Sequence, residues 1–195
     1  MRRLHQPSHF KGGEIIIDVG SYLGHDLVFF LKSAPRQVRI HTFEPVKSFR
    51  DALAARVQRL SLHDRLFVHP FGLGRSARTA CFAGTLKGAS SDELGSQCAA
   101  PSEIRDVADV IHRNFTRVDI MQINCEGCEY DVIERLLNAP ATAIDRIRAF
   151  EVQFHLDWGP QNNTQRYCAI ESGLRQAGFA LDYRHPFLWE RWSRL

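Results

Sequence analysis

The 195-residue sequence has no apolar run approaching the ~20 residues of a membrane-spanning helix, which argues against a membrane partner. Its basic start, MRRLHQPSHFKGG, lacks an apolar centre and does not read as a secretory signal. No internal repeat or low-complexity tract stands out. Charge of one sign is scarce as well: a net charge of +3 is too small to argue for nucleic acid by itself. The five cysteines, at 81, 98, 125, 128 and 168, are an odd and scattered set. They do not resemble a disulfide framework and fit a reducing compartment, so a cytoplasmic location is expected. What is present is ordinary globular composition, at a length that suits one domain burying roughly 70% of its unfolded surface. Residues 1–13 read as a basic arm and 14–195 as a single domain, which could itself belong to a longer protein.

The chain is organised around Glu14 to Asp26, EIIIDVGSYLGHD. The β-branched run Ile15-Ile16-Ile17 suits a strand buried on both faces. Asp18 follows, then a turn with Gly20 and Gly24, then an apolar helical pattern over Leu27–Leu31. Strand, glycine turn and helix open the nucleotide site of a doubly wound α/β domain, beyond the carboxyl ends of the strands. A dinucleotide fingerprint needs a third glycine soon after the second, and His25, Asp26 and Leu27 stand there instead. An acidic strand end with G-x-x-x-G looks like an S-adenosylmethionine loop.

A second strand, Val38–Phe43, ends at Glu44-Pro45 because proline cannot continue the ladder. Glu44 thus falls one βα unit after Asp18, where this kind of fold places the acid that accepts ribose hydroxyls. The competing explanation is an ordinary acid at the start of the helix expected over Val46–Leu60, with Phe49, Leu53, Val57 and Leu60 inward. A third strand over Leu66–Phe71 leads into a Gly72-Leu73-Gly74 turn, against which a base could lie. Residues 75–101 read as an irregular loop and potential lid, with a short strand at Thr79–Phe82. Ser102 is placed to cap a helix over Glu103–His112.

The second informative stretch is VDIMQINCEGCEYDVIERLL, residues 118–137. It reads as a strand to Ile123, then a helix with Tyr130, Ile133, Leu136 and Leu137 on one face. Alternation puts Ile120, Gln122, Asn124 and Glu126 on one side of the strand. In the next strand, Ile147–Leu156, Glu151, Gln153 and His155 share a side. Burying such polar rows without partners costs roughly 2–7 kcal/mol per group, so they are expected to line a pocket rather than a packed core. A helix over Thr164–Ala177 ends at Gly178, and two strands, Phe179–Tyr183 and Phe187–Trp192, close the chain as an antiparallel hairpin.

IIDVGSYLG, HTFEP and DIMQINCEGCEYDVI resemble, in order and spacing, the FkbM-like family of S-adenosylmethionine-dependent methyltransferases. The resemblance covers about residues 14–156. It implies an α/β, Rossmann-like class I methyltransferase fold: a mostly parallel seven-stranded sheet with helices on both faces and the C-terminal hairpin. It also implies S-adenosyl-L-methionine as cofactor and a hydroxyl on a small molecule or sugar as acceptor. By position, Asp18, Gly20, Ser21, Tyr22 and Gly24 would surround the methionine part of the cofactor, and Glu44 would hold its ribose. The family's Lys and Asp are here Gln122 and Asn124. Asn accepts and donates hydrogen bonds but cannot serve as a carboxylate base. Proton removal from the acceptor then falls first to His155, whose unperturbed pKa lies near ~6.5, and next to Glu126, with Asn124 beside them.

Cys125-Glu126-Gly127-Cys128 has the placement of a thiol redox pair, although in the family this segment serves the backbone of the site, and chance spacing is the alternative. No second cysteine pair completes a zinc site, so no metal is expected. Three rivals stand beside the enzyme reading. Gln122 and Asn124 raise a non-catalytic cofactor- or nucleotide-binding module; the missing third glycine argues against a nicotinamide enzyme. An RNA methyltransferase is opposed by the small net charge and by the lack of an (N/D)PP(Y/F) segment after the fourth strand.

Overall fold

The computed structural model describes residues 10–82, 91–92, 101–140, 142–155, 163–185 and 189–195. In chain order the first elements are β1 (Ile15–Val19), α1 (His25–Ser33), β2 (Arg39–Phe43), α2 (Lys47–Arg59), β3 (Leu66–His69) and β4 (Gly72–Gly74). Next come β5 (Arg78–Phe82), β6 (Ser91–Asp92), β7 (Ser102–Asp106), α3 (Val107–Asn114), β8 (Ile120–Ile123) and α4 (Glu129–Asn138). The last are β9 (Ala149–Val152), α5 (Asn163–Gln176), β10 (Phe179–His185) and β11 (Trp189–Arg194).

Among the described residues the main sheet has seven strands in the order β10-β11-β9-β8-β1-β2-β3. The five strands from β3 to β9 are centred on β1, whose buried isoleucines suit a strand covered on both faces. Strands β3, β2, β1, β8 and β9 run parallel, and β11 and β10 join antiparallel as the expected hairpin. Helices α1 and α2 cover one face through Leu27, Phe30, Leu31, Leu53 and Val57. The other face is covered by α3, α4 and α5 through Val107, Ile111, Tyr130, Ile133 and Leu174. The fold is the Rossmann-like α/β arrangement anticipated from the sequence.

Three arginines tie this frame together. Arg65 donates to the carbonyls of Leu31, Ala34, Pro35 and Val38 after α1. Arg146 reaches Ile111, His112 and Phe115 at the end of α3, and Arg194 reaches Ile144, Ile147 and Ala177. Helix ends leave carbonyls without intrahelical partners, and a guanidinium fork satisfies several at once.

Several expectations change. Residues 72–74 form a strand, not a turn: β4 pairs in parallel with β7 within a second sheet of order β4-β7-β5-β6. The glycines make room for Ile104, since a Cβ on Gly72 would stand 2.7 Å from its Cδ1. Ser102 does not cap a helix, because pairing to β4 and β5 holds residues 102–106 extended. Its Oγ donates to the Pro45 carbonyl at 2.8 Å, and α3 starts later, with the Asp106 carboxylate accepting from Ala108 and Asp109. Leu60 is exposed where the chain leaves α2. Within 75–101, the segments Arg78–Phe82 and Ser91–Asp92 are strands; residues 83–90 and 93–100, and with them the expected lid, lie outside the described residues. Leu156 and Phe187 lie outside them as well.

The polar rows do not line a pocket throughout. Thr42, Asp18, Gln122, Glu151 and Arg191 stand in register on five neighbouring strands. Thr42 Oγ1 donates to Asp18 at 2.8 Å, Gln122 Nε2 to Asp18 at 2.9 Å, and Arg191 to Glu151 at 2.8 Å. Much of the row is thus satisfied sideways, across the sheet, which lowers the penalty that had pointed to a cavity, while Gln122 Oε1 has no hydrogen-bond partner among the described residues. The cysteine reading is overturned too. Cys125 and Cys128 form a disulfide, Cys81 is also disulfide-bonded, and Cys168 is free and exposed. The turn over Glu126 and Gly127 brings the paired Cα atoms to 5.4 Å, an ordinary disulfide separation that residue spacing alone does not reveal. No helix among the described residues is long and apolar enough to cross a membrane.

Candidate functional site

A cavity of about 880 Å3, counting its open mouth, lies at the carboxyl ends of β1, β2 and β8. The first wall is the loop after β1. Gly20 has φ 85° and its N–H donates to the Phe43 carbonyl at 3.2 Å, while Tyr22 takes φ 54° and Gly24 φ 62° at the start of α1. The Glu44 carboxylate fixes this loop: one oxygen accepts from Tyr22 N–H at 2.8 Å, and the other from Val46 N–H at 2.9 Å. Glu44 thus follows the last residue of β2, precedes α2 and forms part of the cavity wall. Tyr22 meets Phe49 edge-on, with ring centroids 4.5 Å apart, and both line the cavity.

The opposite wall is apolar, formed by Gly72, Leu73 and Gly74 of β4 with Ile104 of β7. Between the two walls lies the loop after β8, which contributes Asn124, Cys125, Glu126 and Cys128. Glu126 takes φ 55° and Gly127 φ 110°, so two successive residues are left-handed. The Glu129 carboxylate, fully buried, accepts from Cys125 N–H at 2.9 Å and from Gly127 N–H at 2.8 Å. It also bonds His155 Nδ1 at 2.8 Å, and His155 Nε2 stands 3.4 Å from the Glu126 carboxylate. His155 is thus held between two acids, with Glu126 between it and the cavity.

The structure brings Gly20, Tyr22, Glu44, Asn124 and Glu126 together around one space. Ser21 and Gly24 line an adjoining hollow with Tyr22 at the start of α1, where the buried Ser21 Oγ has no hydrogen-bond partner among the described residues. Asp18 is elsewhere: it is wholly buried in the polar row, one residue short of the cavity wall at Val19. His155 is beside the site without being among the described residues that line it.

No protein-family model and no curated protein sequence matches the chain. Among solved structures it is similar to a methyltransferase FkbM from Methylobacillus flagellatus, with TM-score 0.59 and 15% identity over 93% of this chain. It covers 43% of that protein, so it spans less than half of its length. A putative rRNA-methylase from Clostridium thermocellum gives TM-score 0.57 at 11% identity, covering 97% of this chain and 90% of the other. The O-methyltransferase TomG from Streptomyces achromogenes, solved with SAM, gives 0.54 at 11% identity, covering 92% and 70%. The fold is that of a methyltransferase.

Within this methyltransferase fold, sequence reasoning missed three features of the site. Glu129, the tie between loop and histidine, was not singled out; its signal is an acid in the first turn of a helix that follows a glycine turn. Phe49 was assigned to the helix core, although a helix that starts beside Glu44 presents its first turn to the cavity. Arg78, Phe82 and Ile104 reach the cavity from short strands of the second sheet, which carry no periodicity to read.

Proposed function

We propose that the chain is an S-adenosylmethionine-dependent methyltransferase of FkbM-like character, acting on a hydroxyl oxygen of a small molecule or sugar. The observation that carries this is the Glu44 carboxylate, held by the glycine loop after β1 and lining the cavity at the carboxyl ends of β1, β2 and β8. An ionised carboxylate offers about four lone-pair sites, so two amide bonds are compatible with its accepting ribose hydroxyls as well. The orphaned Ser21 Oγ at the start of α1 supports a polar ligand group there, as the methionine end of the cofactor would supply. The slot between Val46 and Phe49 on one side and Leu73 and Ile104 on the other suits a flat apolar base. When bound, the sulfonium supplies an electrophilic methyl group.

The protein's own contribution is alignment and proton removal. Holding an acceptor oxygen in line with the methyl supplies much of the barrier reduction. Glu126 faces the cavity and is backed by His155, whose other nitrogen is fixed by Glu129. The acceptor's proton passes to this Glu126–His155 pair, with Asn124 orienting the oxygen. Gln122 plays no part at the cavity, since it is engaged with Asp18. A second reading, a cofactor-binding module without catalysis, is favoured by Asn124 standing at the cavity where a carboxylate base would be expected.

Calorimetric titration with S-adenosylmethionine, S-adenosylhomocysteine and NAD tests the cofactor. Binding of the first two and not the third is expected; binding of NAD alone would overturn the reading. Methyl transfer from labelled cofactor to a panel of hydroxylated small molecules and sugars then separates enzyme from module.

A further inference from the structure

We propose that the Cys125–Cys128 disulfide is a redox modification site in the cavity wall, opened by a small dithiol reductant, and that opening it loosens the cofactor site. Both cysteines line the cavity and are only partly buried, so a small reductant reaches them through the opening a ligand would use. The consequence for the cofactor rests on the function proposed above; the redox site itself does not.

The geometry supplies the coupling. Left-handed backbone at Glu126 is unfavourable for a residue with a Cβ, so the loop keeps its shape only through outside ties. Two ties hold the backbone, the disulfide and the Glu129 carboxylate that takes the Cys125 and Gly127 amides, and the Glu126 side chain adds a 3.4 Å contact to His155 Nε2. The loop after β1 rests directly on this one. A Cβ on Gly20 would lie 2.4 Å from the Asn124 carbonyl oxygen and 3.0 Å from Cys125 Cα. Movement of Cys125 is therefore felt at Gly20, and by Tyr22 and Glu44 behind it.

In the exchange, one thiolate of the dithiol attacks a cysteine sulfur, breaking the S–S bond and forming a mixed disulfide. The reductant's second thiolate displaces the remaining cysteine. Two electrons pass from the dithiol, which closes to its own disulfide, and the two protons it loses end on Cys125 and Cys128. The opened loop keeps the Glu129 tie and the looser Glu126–His155 contact, Glu126 leaves the left-handed region, and the seat of Gly20 softens. Linkage requires the reverse effect: a ligand that binds the closed form better protects the disulfide from reduction by the same factor.

The full chain, purified without reductant, is compared before and after dithiothreitol by alkylation mapping, amide hydrogen exchange and calorimetry with S-adenosylhomocysteine. Cys125 and Cys128 are expected to resist alkylation before reduction and accept it afterwards. Exchange across residues 124–128 should rise at least about tenfold, and affinity should fall at least about fivefold. The double variant Cys125→Ser/Cys128→Ser should show both changes and no longer respond to dithiothreitol, which separates this bridge from the one at Cys81. Should that variant misfold by circular dichroism, the wild type and Cys81→Ser, each with and without reductant, decide the matter. Alkylation of both thiols before reduction, or unchanged exchange, would overturn the proposal. So would a response to reductant that persists in the double variant or is lost in Cys81→Ser. If exchange rises as expected while S-adenosylhomocysteine binds neither form, the redox site stands and the cofactor reading fails.

Discussion

The loop after β1 and the loop after β8 both carry a left-handed residue with a full side chain, Tyr22 at φ 54° and Glu126 at φ 55°. In each, a glutamate carboxylate takes backbone amides of the turn, Glu44 that of Tyr22 and Glu129 those of Cys125 and Gly127. The source of the carboxylate differs. Glu44 comes from the neighbouring strand, 22 residues from Tyr22, so the first loop takes its shape only when β2 is in place. Glu129 belongs to the helix that the second loop leads into, and the Cys125–Cys128 bridge spans the same turn. One loop is shaped by tertiary assembly and the other by its own segment. The carboxylate that comes from a distance faces the cavity, whereas the local one is sealed off and works on His155 instead.

The largest expected effect lies on the second loop. His155→Ala should leave S-adenosylhomocysteine affinity within about twofold and lower turnover by about 10²–10⁴, with the acid limb of the pH–rate profile altered. Equal losses in binding and turnover would place His155 in ligand binding instead. Glu129→Ala should cost about 2–4 kcal/mol in urea unfolding, because it strips two buried amides and a histidine of their acceptor. Glu44→Ala should instead weaken binding by roughly tenfold or more, with a stability loss of about 1–2 kcal/mol. If Glu44→Ala bound the cofactor as tightly as the parent, the two carboxylates would not differ in role.

A histidine pair on the far side of Phe43 from the Gly20 loop gives a further test. His41 and His69 meet at 3.0 Å between β2 and β3, and burial pushes the His41 pKa down to about 4, with His69 adding in the same direction. Between about pH 6.5 and 4 the unfolded chain holds a proton that the folded chain does not, so stability falls as the solution is acidified through that window. The loss should be on the order of 1–2 kcal/mol, allowing for partial exposure, and His41→Phe should flatten it. The smallest effect should come from Glu126→Gly, stabilising by about 0.5–1 kcal/mol as left-handed strain is relieved against added chain entropy. A loss there would show that the side chain, not the backbone, governs that loop.

The first loop and Glu44 were legible in the sequence because their signals are local: a β-branched run, a glycine turn and an acid before a proline. The polar alternation in β8 and β9 gave the correct side but not the partner, since Asp18 reaches Gln122 across 104 residues. Alternation shows which groups share a face and is silent on whether water, ligand or a neighbouring strand satisfies them. Strands β4 and β7 were missed because two short segments become extended only by pairing with each other and with β5. The bridge at Cys125 was discounted because its chemistry depends on a turn geometry that C-x-x-C spacing permits but does not require.

The arginine clasps at Arg65, Arg146 and Arg194 bear on how any acceptor should be sought. Lysine, with a single ammonium, cannot span several carbonyls as a guanidinium does. A charge-conserving Arg→Lys survey of this chain would therefore chart where helices finish. At Arg65, Arg146 and Arg194 activity lost in such a survey would report melting, unlike a loss at Arg78 in the cavity wall, and basicity counted from the composition would overstate the footing available to a polyanion.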